Sequence, residues 1–420
     1  MEEMKRMIQL LLGIPDINIL AVEIKSNNHV HITVESTLEG TNCHQCGTPT
    51  TTFHSLDKPL QLRHLPMMGH QTYLLICPKR YLCEPCSNKP KTTQKPDWYD
   101  SKSRCTLAWQ QHLLLALVNS TIQDVSRKEA MGYKTIEALV NRLISQKVDW
   151  EQISKLDFEE MGIDEVALRK GHKQYVTIIT LRLVNGEVRV LTVLADRKKE
   201  SIKGFLEQMP EALRKRLKSV CTDMYQGFSE AIREVLGAAV IVIDRFHVAK
   251  LYRECAEQLR KSETRRLKKE LSAEQYEEIK GVMWVFRKNE QDLLKEEKAK
   301  LEKLFGYAPE LEKAYRLREA MSQIFNQKLS KGKAKKAFGK WQAEVRKSGL
   351  KCFDSFLKTL DKWLEEISNY FVRRKSSGFV EGFNNKVKVL KRRSYGISNV
   401  VHFFKRLVID VEGYQRFATN

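Results

Sequence analysis

Two kinds of metal-binding side chain are spaced along this sequence so that a fold could gather them. The first kind is oxygen: Asp164, Asp223 and Glu381 fall on a strand, at a strand end and on a helix in the pattern read below. A few carboxylates held together by a rigid sheet can bind two Mg²⁺ or Mn²⁺ ions about 4 Å apart. Such a pair generates a nucleophile from water and steadies the attacking and leaving oxygens of a phosphodiester. For any single aspartate at a strand end the bland alternative is a turn or cap residue. The second kind is sulfur. Cys43 and Cys46 make one Cys-x-x-Cys pair, Cys83 and Cys86 another, with 36 residues between the pairs. Each pair offers two thiolates from one tight turn, and two such knuckles complete a closed tetrahedral site for one structural Zn²⁺. The nine cysteines are an odd number, which suits metal ligation in a reducing compartment better than a disulfide framework. Cys77 reads as a small buried residue of a strand. His44, His54, His64 and His70 are the residues that could replace a cysteine ligand.

The carboxylates need a sheet, and the stretch 163–244 supplies the pattern for one. β-rich runs cover 163–168, 175–184 and 187–195, separated by short turns such as Asn185-Gly186. A helical stretch at 201–208 follows, then a strand at 217–223 that stops on Asp223, a helix at 228–236, and a strand at 239–244 that stops on Asp244. Three strands joined by tight turns, then helix, strand, helix, strand, is the order of an α/β layer in the style of ribonuclease H. Its first and fourth strands are neighbours, which would bring Asp164 to Asp223. The chain then turns helical and charged from about 248 to 369. Trp284, Trp341 and Trp363 read there as core, and the basic run 331–336 as a phosphate contact or a solvated turn. A last helix runs from serines at 376–377 to about 392. At 100° per residue it places Val380, Phe383, Val387 and Leu390 on one face and Glu381, Asn385, Lys388 and Arg392 on the other.

Upstream, 1–40 reads as a small α/β lead-in with strands at 17–22 and 29–34, and 71–82 alternates like one strand leading into the second cysteine pair. Helical patterns at 107–118, 122–130 and 134–145 follow. The last two are joined by Met131-Gly132-Tyr133 and resemble a helix-turn-helix, the alternative being an ordinary helical linker. Ile136, Leu139, Val140 and Leu143 form the apolar stripe of the second helix, leaving Lys134, Thr135, Asn141, Arg142 and Ser145 outward. The 420 residues carry 73 Lys and Arg against 52 Asp and Glu, a formal charge of +21, and a polyanion such as nucleic acid is the partner this favours. The apolar run near the N-terminus is too short and lacks a cleavage site for a secretory signal, and nothing reads as a membrane span. The resulting divisions are 1–40, a zinc-binding segment 41–100, a helix-turn-helix segment 101–150, a first core part 155–250, a helical insertion 251–370 and a final core part 371–420.

Taken as a set, Ile163-Asp164-Glu165, Lys170-Gly171-His172, Thr222-Asp223-Met224, Asp244-Arg245-Phe246-His247-Val248 and Val380-Glu381-Gly382-Phe383-Asn384-Asn385-Lys386-Val387-Lys388, with the cysteine pairs and the helix-turn-helix, resemble the ISL-three group of insertion-sequence transposases. The resemblance spans most of the chain from about 43 to 395. It implies an α/β, ribonuclease-H-like catalytic core with a large α-helical insertion, preceded by zinc-binding and helix-turn-helix modules. It implies an acidic triad at Asp164, Asp223 and Glu381, with Asp244 the rival for the second place and Asp244 and His247 lining the same cavity. Lys386, Lys388, Lys391, Arg392 and Arg393 would hold the DNA backbone near the metals. Lys134, Thr135, Asn141 and Arg142 would face DNA from the helix-turn-helix. The implied reaction is hydrolysis at the ends of the element, followed by attack of the freed 3′-hydroxyl on target DNA. Terminal inverted repeats and target duplex would be the partners, in a homodimer or higher assembly, in the bacterial cytoplasm with the nucleoid. A non-catalytic regulator or transposase relic, and a structure-specific nuclease on the same core, are the competing readings.

Overall fold

The computed structural model describes residues 2–100, 103–168, 175–373, 377–394 and 396–418. The chain divides into two compact units, Met1–Ile144 with the end of the chain from Glu412, and Ser145–Val411.

The first unit opens with α1 (Glu2–Leu12), then β1 (Ile17–Ile24) and β2 (Val30–Ser36). Next come two short strands, β3 (Thr41–Asn42) and β4 (Pro49–Thr50), followed by β5 (Thr52–Leu56), β6 (Leu60–Met67), β7 (His70–Ile76), β8 (Lys79–Leu82) and β9 (Lys91–Thr93). β2 pairs in parallel with β7, giving a sheet ordered β1-β2-β7-β6, so the 1–40 segment shares its sheet with residues of the following segment. The strand read at 71–82 is two strands. Pro78, which has no N–H to give a ladder, marks the break, and β8 pairs instead with β5 and β9. Cys77 at that break is exposed, not buried: Ile76 is the last inward residue of β7, so the next side chain points out.

α2 (Leu107–Leu117), α3 (Ile122–Lys128) and α4 (Tyr133–Leu143) complete this unit, with Thr106 and Thr121 capping the first two through side chains that accept from Trp109 and Asp124 N–H at 3.2 and 3.0 Å. The expected stripe of α4 holds at Ile136, Leu139 and Val140 but not at Leu143, which is exposed. The helix ends there, Ile144 turns extended, and Ile144 is buried in its place.

In the second unit, α5 (Trp150–Ser154) leads into β10 (Phe158–Ala167), β11 (Tyr175–Leu183) and β12 (Val188–Leu194). α6 (Lys199–Glu207) and α7 (Glu211–Arg214) precede β13 (Ser219–Thr222), and α8 (Gln226–Val235) precedes β14 (Val240–Ile243). The sheet order is β12-β11-β10-β13-β14, with the β10–β11 and β11–β12 pairs antiparallel and β13 and β14 parallel to β10. The short parallel strands bury Val220, Thr222, Ile241 and Ile243. A bulge between Phe158 and Glu160 resets the alternation of β10, so Phe158, Met161 and Ile163 all enter the core with Phe205, Leu206, Phe228 and Ile232. Gly162 and Asp164 therefore face the other side. There β11 contributes Ile178 and Thr180, which makes β11 buried on both faces.

Asp244 caps α9 (Arg245–Glu270), which runs without interruption into a helical array. α10 (Ala273–Glu278), α11 (Val282–Arg287), α12 (Lys295–Tyr307), α13 (Pro309–Asn326), α14 (Lys331–Ser348), α15 (Asp354–Lys362) and α16 (Leu364–Arg373) follow. Their core gathers Tyr252, Phe286, Phe325, Phe338, Trp341, Phe356 and Trp363. Trp341 and Trp363 are thus core residues as expected, but Trp284 is 65% exposed. The basic run at 331–336 is the first turns of α14, where Lys331 and Lys335 both pair with Glu365 of α16. Asn369 of α16 donates to the Ile241 carbonyl at 2.7 Å, so this array covers the outer edge of β14. α17 (Ser377–Arg393) and α18 (Val400–Phe417) close the chain. No helix among the described residues is long and apolar enough to cross a membrane.

Candidate active site and zinc centre

The parallel register aligns the aspartates. Ile163 lies opposite Thr222, and Thr222 opposite Ile243, so Asp164, Asp223 and Asp244 are the next residues on three adjacent strands at one end of the sheet. The Asp244 N–H still reaches the Thr222 carbonyl at 3.1 Å, which extends the ladder to this level. Strands spaced about 4.8 Å apart set three carboxyl-bearing residues in a lateral row. Asp164, Asp223, Asp244 and His247 line one pocket of about 20 Å³ with Thr180, Thr222 and Phe383 of α17, room for a single water-sized species. Gly162 lies at its base, where a Cβ would stand 2.7 Å from Thr180 Oγ1.

The pocket strains its carboxylates electrostatically. Burial raises Asp164 above the usual carboxylate range, against the pull of His247, whose Nε2 is 3.7 Å from Asp164 Oδ1, and of hydrogen bonds from the Glu165 N–H at 2.8 Å and Asn384. Burial, then the charges of Asp164 and Glu165, push Asp223 up to about 7. Burial also lowers His247 against the attraction of Asp164. Asp223 Oδ1 and Thr222 Oγ1 are buried with no hydrogen-bond partner among the described residues. Buried oxygens are nearly always satisfied. Unsatisfied oxygen beside crowded carboxylates fits a divalent cation, which neutralises the charge and takes the free lone pairs. Asp244 Oδ1 accepts from the Phe246 N–H at 3.1 Å to start α9, as Asp223 accepts from the Tyr225 N–H.

Glu381 lies on α17, three residues before Asn384, and its side chain lies outside the described residues, as do Lys170, Gly171 and His172. Phe383, Val387 and Leu390 form the buried face of α17. Lys386, Lys388 and Arg392 are exposed, with Lys388 Nζ 5.5 Å from the Phe246 ring. Lys391 and Arg393, read as backbone contacts for DNA, instead turn inward. Lys391 donates to the Ala167 carbonyl and Arg393 pairs with the buried Asp410. Both partners are distant in sequence, which helical periodicity does not register.

Asn384 and the pair Glu165 and Arg197 were not legible as site residues. Arg197 pairs with Glu165 at 2.8 Å and its guanidinium lies 5.0 Å from the rings of both Tyr175 and Tyr225. The Tyr225 N–H in turn bonds Asp223. Asn384 did carry a signal, standing one turn beyond Glu381 on the same helix.

In the first unit, Cys43, Cys46, Cys83 and Cys86 place their sulfurs within 4.8 Å of one another. The Cys43–Cys86, Cys46–Cys83 and Cys83–Cys86 separations are 4.0, 3.6 and 3.6 Å. A tetrahedron with Zn–S bonds of about 2.3 Å has edges of about 3.8 Å, so the four sulfurs fit zinc. The β3–β4 hairpin holds the first knuckle, where Gly47 takes φ +75° and its N–H bonds the Cys43 carbonyl at 2.9 Å. The β8–β9 hairpin holds the second. Three of the four candidate histidines are engaged elsewhere: His44 bonds Thr92, His54 bonds Ser55 and His64 bonds Thr106, each at 2.9 Å. Lys134, Thr135, Asn141 and Arg142 are exposed on α4, with Arg142 paired to Asp100 at 3.0 Å.

Comparison with known proteins finds three family matches along the chain. Residues 161–407 match a family model described as a transposase, and residues 94–144 one described as the helix-turn-helix domain of transposase family ISL3. Residues 39–86 match one described as the zinc-finger of transposase IS204/IS1001/IS1096/IS1165. The transposase for insertion sequence element IS1001 of Bordetella parapertussis is 28% identical over 370 residues, 87% of each chain. The transposase for insertion sequence element IS1557 of Mycobacterium tuberculosis is 20% identical over 334 residues, 74% of this chain and 71% of that one.

Proposed function

This chain belongs to the ISL3 family of insertion-sequence transposases, and from that premise we propose that it is an acidic-triad enzyme with a ribonuclease-H-like core. It binds the terminal inverted repeats of its element, cuts DNA at the element ends and joins the freed 3′-hydroxyls to target duplex. The observation that carries this reading is the row of Asp164 and Asp223 on adjacent parallel strands, facing a pocket that α17 closes with Phe383 and Asn384. The strand order, with three antiparallel strands first and two parallel ones after, supports the ribonuclease-H-like assignment, and the helical array at 251–370 stands as the insertion.

Asp164 and Asp223 are the first two metal ligands, and Glu381, one turn before Asn384, is the third. Asp223 is preferred to Asp244 because its strand is the fourth of the sheet in chain order, where a ribonuclease-H-like core carries its second carboxylate, while Asp244 caps α9. Two bound Mg²⁺ or Mn²⁺ ions would supply a water-derived nucleophile and neutralise charge on the attacking and leaving oxygens. Asn384 orients the Asp164 carboxylate, His247 stands beside it, and Lys386, Lys388 and Arg392 offer exposed cations to the DNA backbone. Sequence recognition falls to the zinc-bearing segment and α4. Coordinated cutting of two ends calls for at least a homodimer on DNA, in the bacterial cytoplasm with the nucleoid.

The test is a cleavage and joining assay with purified protein, a duplex bearing the flanking inverted repeat, supercoiled target and Mg²⁺ or Mn²⁺. Metal-dependent nicks at the repeat boundary and joined products are expected, both absent with Glu381→Ala. Binding without nicks would support a regulator or relic instead, and nicks without joining a nuclease.

A further inference from the structure

The polar face of α4 does not look onto open solvent alone. Lys134, Thr135 and Arg142 line one wall of a groove of about 1130 Å³ whose opposite wall is β6, with Gln61 and Arg63, and the following segment with Arg104. A recognition helix that shares a groove with a second wall can bring that wall to the DNA as well.

The second wall is built for a polyanion. Arg104 is exposed and makes no ion pair among the described residues. Its carbonyl accepts from the Arg63 N–H at 2.8 Å, and the Arg63 carbonyl accepts from the Thr106 N–H at 2.9 Å, so the segment is laced to β6 and Arg104 is presented from a fixed backbone. Thr106 also caps α2 and bonds His64, which ties the wall to the helical part of the unit. Arg63 lies within the groove wall, 7% exposed. It bonds Gln71 and the Tyr73 hydroxyl, and its guanidinium lies 5.0 and 4.9 Å from the Tyr73 and Trp109 rings. Yet its Nε is buried with no partner among the described residues. A buried guanidinium N–H without an acceptor is costly, and an anionic oxygen lowered into the groove would satisfy it. Among the described lining residues the one acid, Glu129, is already engaged by His112 at 3.1 Å.

We infer that the groove between α4 and β6 seats one sugar-phosphate strand of the element-end duplex, with Arg104 and Lys134 as phosphate contacts on opposite walls and Arg63 beneath them. The DNA reader is then composite: the helix supplies base contacts and the four-stranded sheet that ends in β6 supplies the far side of the clamp. This rests on the reading that the unit binds element-end DNA, and it names the surface that does so.

The experiment measures binding of the full-length protein to an inverted-repeat duplex and to a scrambled duplex by fluorescence anisotropy across a salt series. The variants are Arg104→Ala, Arg104→Lys and Lys134→Ala. Arg104→Ala should weaken both duplexes by about tenfold, the size of one charge-assisted hydrogen bond, and reduce the slope of log affinity against log salt by about 1. Arg104→Lys should restore most of the affinity, and Lys134→Ala should behave like Arg104→Ala. Arg104 is exposed, so unchanged thermal unfolding separates lost contact from lost fold. If only Lys134→Ala weakens binding, α4 meets DNA and the groove does not clamp it. If neither variant has any effect while wild type binds, the groove and the assignment of DNA binding to this unit both fall.

Discussion

Replacing Asp223 with Asn tests the crowding of charge at the sheet end. Burial and the nearby Asp164 and Glu165 raise the Asp223 carboxyl from 3.8 to about 7. Its proton is therefore held more tightly in the folded chain than in the unfolded one. That contribution to stability is complete below about pH 4 and is lost as pH rises through about 7. Roughly three units at 1.36 kcal/mol each make about 4 kcal/mol of penalty for the ionised carboxylate at pH 8.5 without divalent cation. The amide cannot ionise. Asp223→Asn should match wild type within about 1 kcal/mol at pH 5 and exceed it by about 3 kcal/mol at pH 8.5. Because the chain has two units, the measurement must isolate this one: urea series equilibrated at each pH, then a hydrogen-exchange pulse at one common pH, read on peptides of β10 and β13. Millimolar Mg²⁺ should stabilise wild type at pH 8.5 and leave the variant nearly unmoved. Parallel pH profiles for the two proteins, or a variant that is weaker at pH 8.5, would refute the argument that buried like charge dominates this site.

Cys46→Ser and Cys86→Ser should each reduce tightly bound zinc from about one per chain to near none, measured by metal analysis after dialysis; unchanged content would end the four-sulfur assignment. Burial lowers His64 to about 4, so its contribution to stability is complete above about pH 6.5 and is lost as pH falls towards 4. His64→Gln should gain about 2 kcal/mol relative to wild type between pH 7.5 and 5 in unfolding of the first unit, and identical pH dependence would show that His64 is not the titrating group. Asp164→Asn should abolish strand cleavage while changing affinity for the inverted-repeat duplex by less than about threefold, since it removes a metal ligand and no phosphate contact; lost binding would make Asp164 a structural residue. Phe338→Ala, fully buried in the helical core, should cost about 3–5 kcal/mol in thermal unfolding of the second unit, and a negligible shift would mean a loosely packed array.

The sheet strands and the short helices were legible because each carries a local pattern: β-rich runs in β10 to β12, a continuous apolar run in β14, apolar helical stretches in α2 to α4. The two cysteine pairs were legible for the same local reason. What periodicity misses is who lies across the fold. Cys77 and Leu143 fail at element ends, where one residue of phase or one turn out of the helix exchanges inside for outside. Lys391 and Arg393 look like free cations until Ala167 and Asp410 arrive from elsewhere in the chain. The exposed Trp284 has the composition of a core residue and no core to enter. At the candidate site, a strand-end aspartate is legible as acidic but not as crowded. Only the register of β10, β13 and β14 makes neighbours of Asp164, Asp223 and Asp244.

α9 gives the second unit a mechanical property. Its 26 residues begin at the Asp244 cap, contain no glycine or proline, and end in the helical array, a stiff arm of about 39 Å. His247 sits in its first turn, beside Asp164. An arm of that length converts a tilt of one degree into about 0.7 Å of travel at its tip. The same helix carries Val248, Tyr252, Cys255 and Leu267 into the core of the array, so the pocket wall and the array are parts of one packed element.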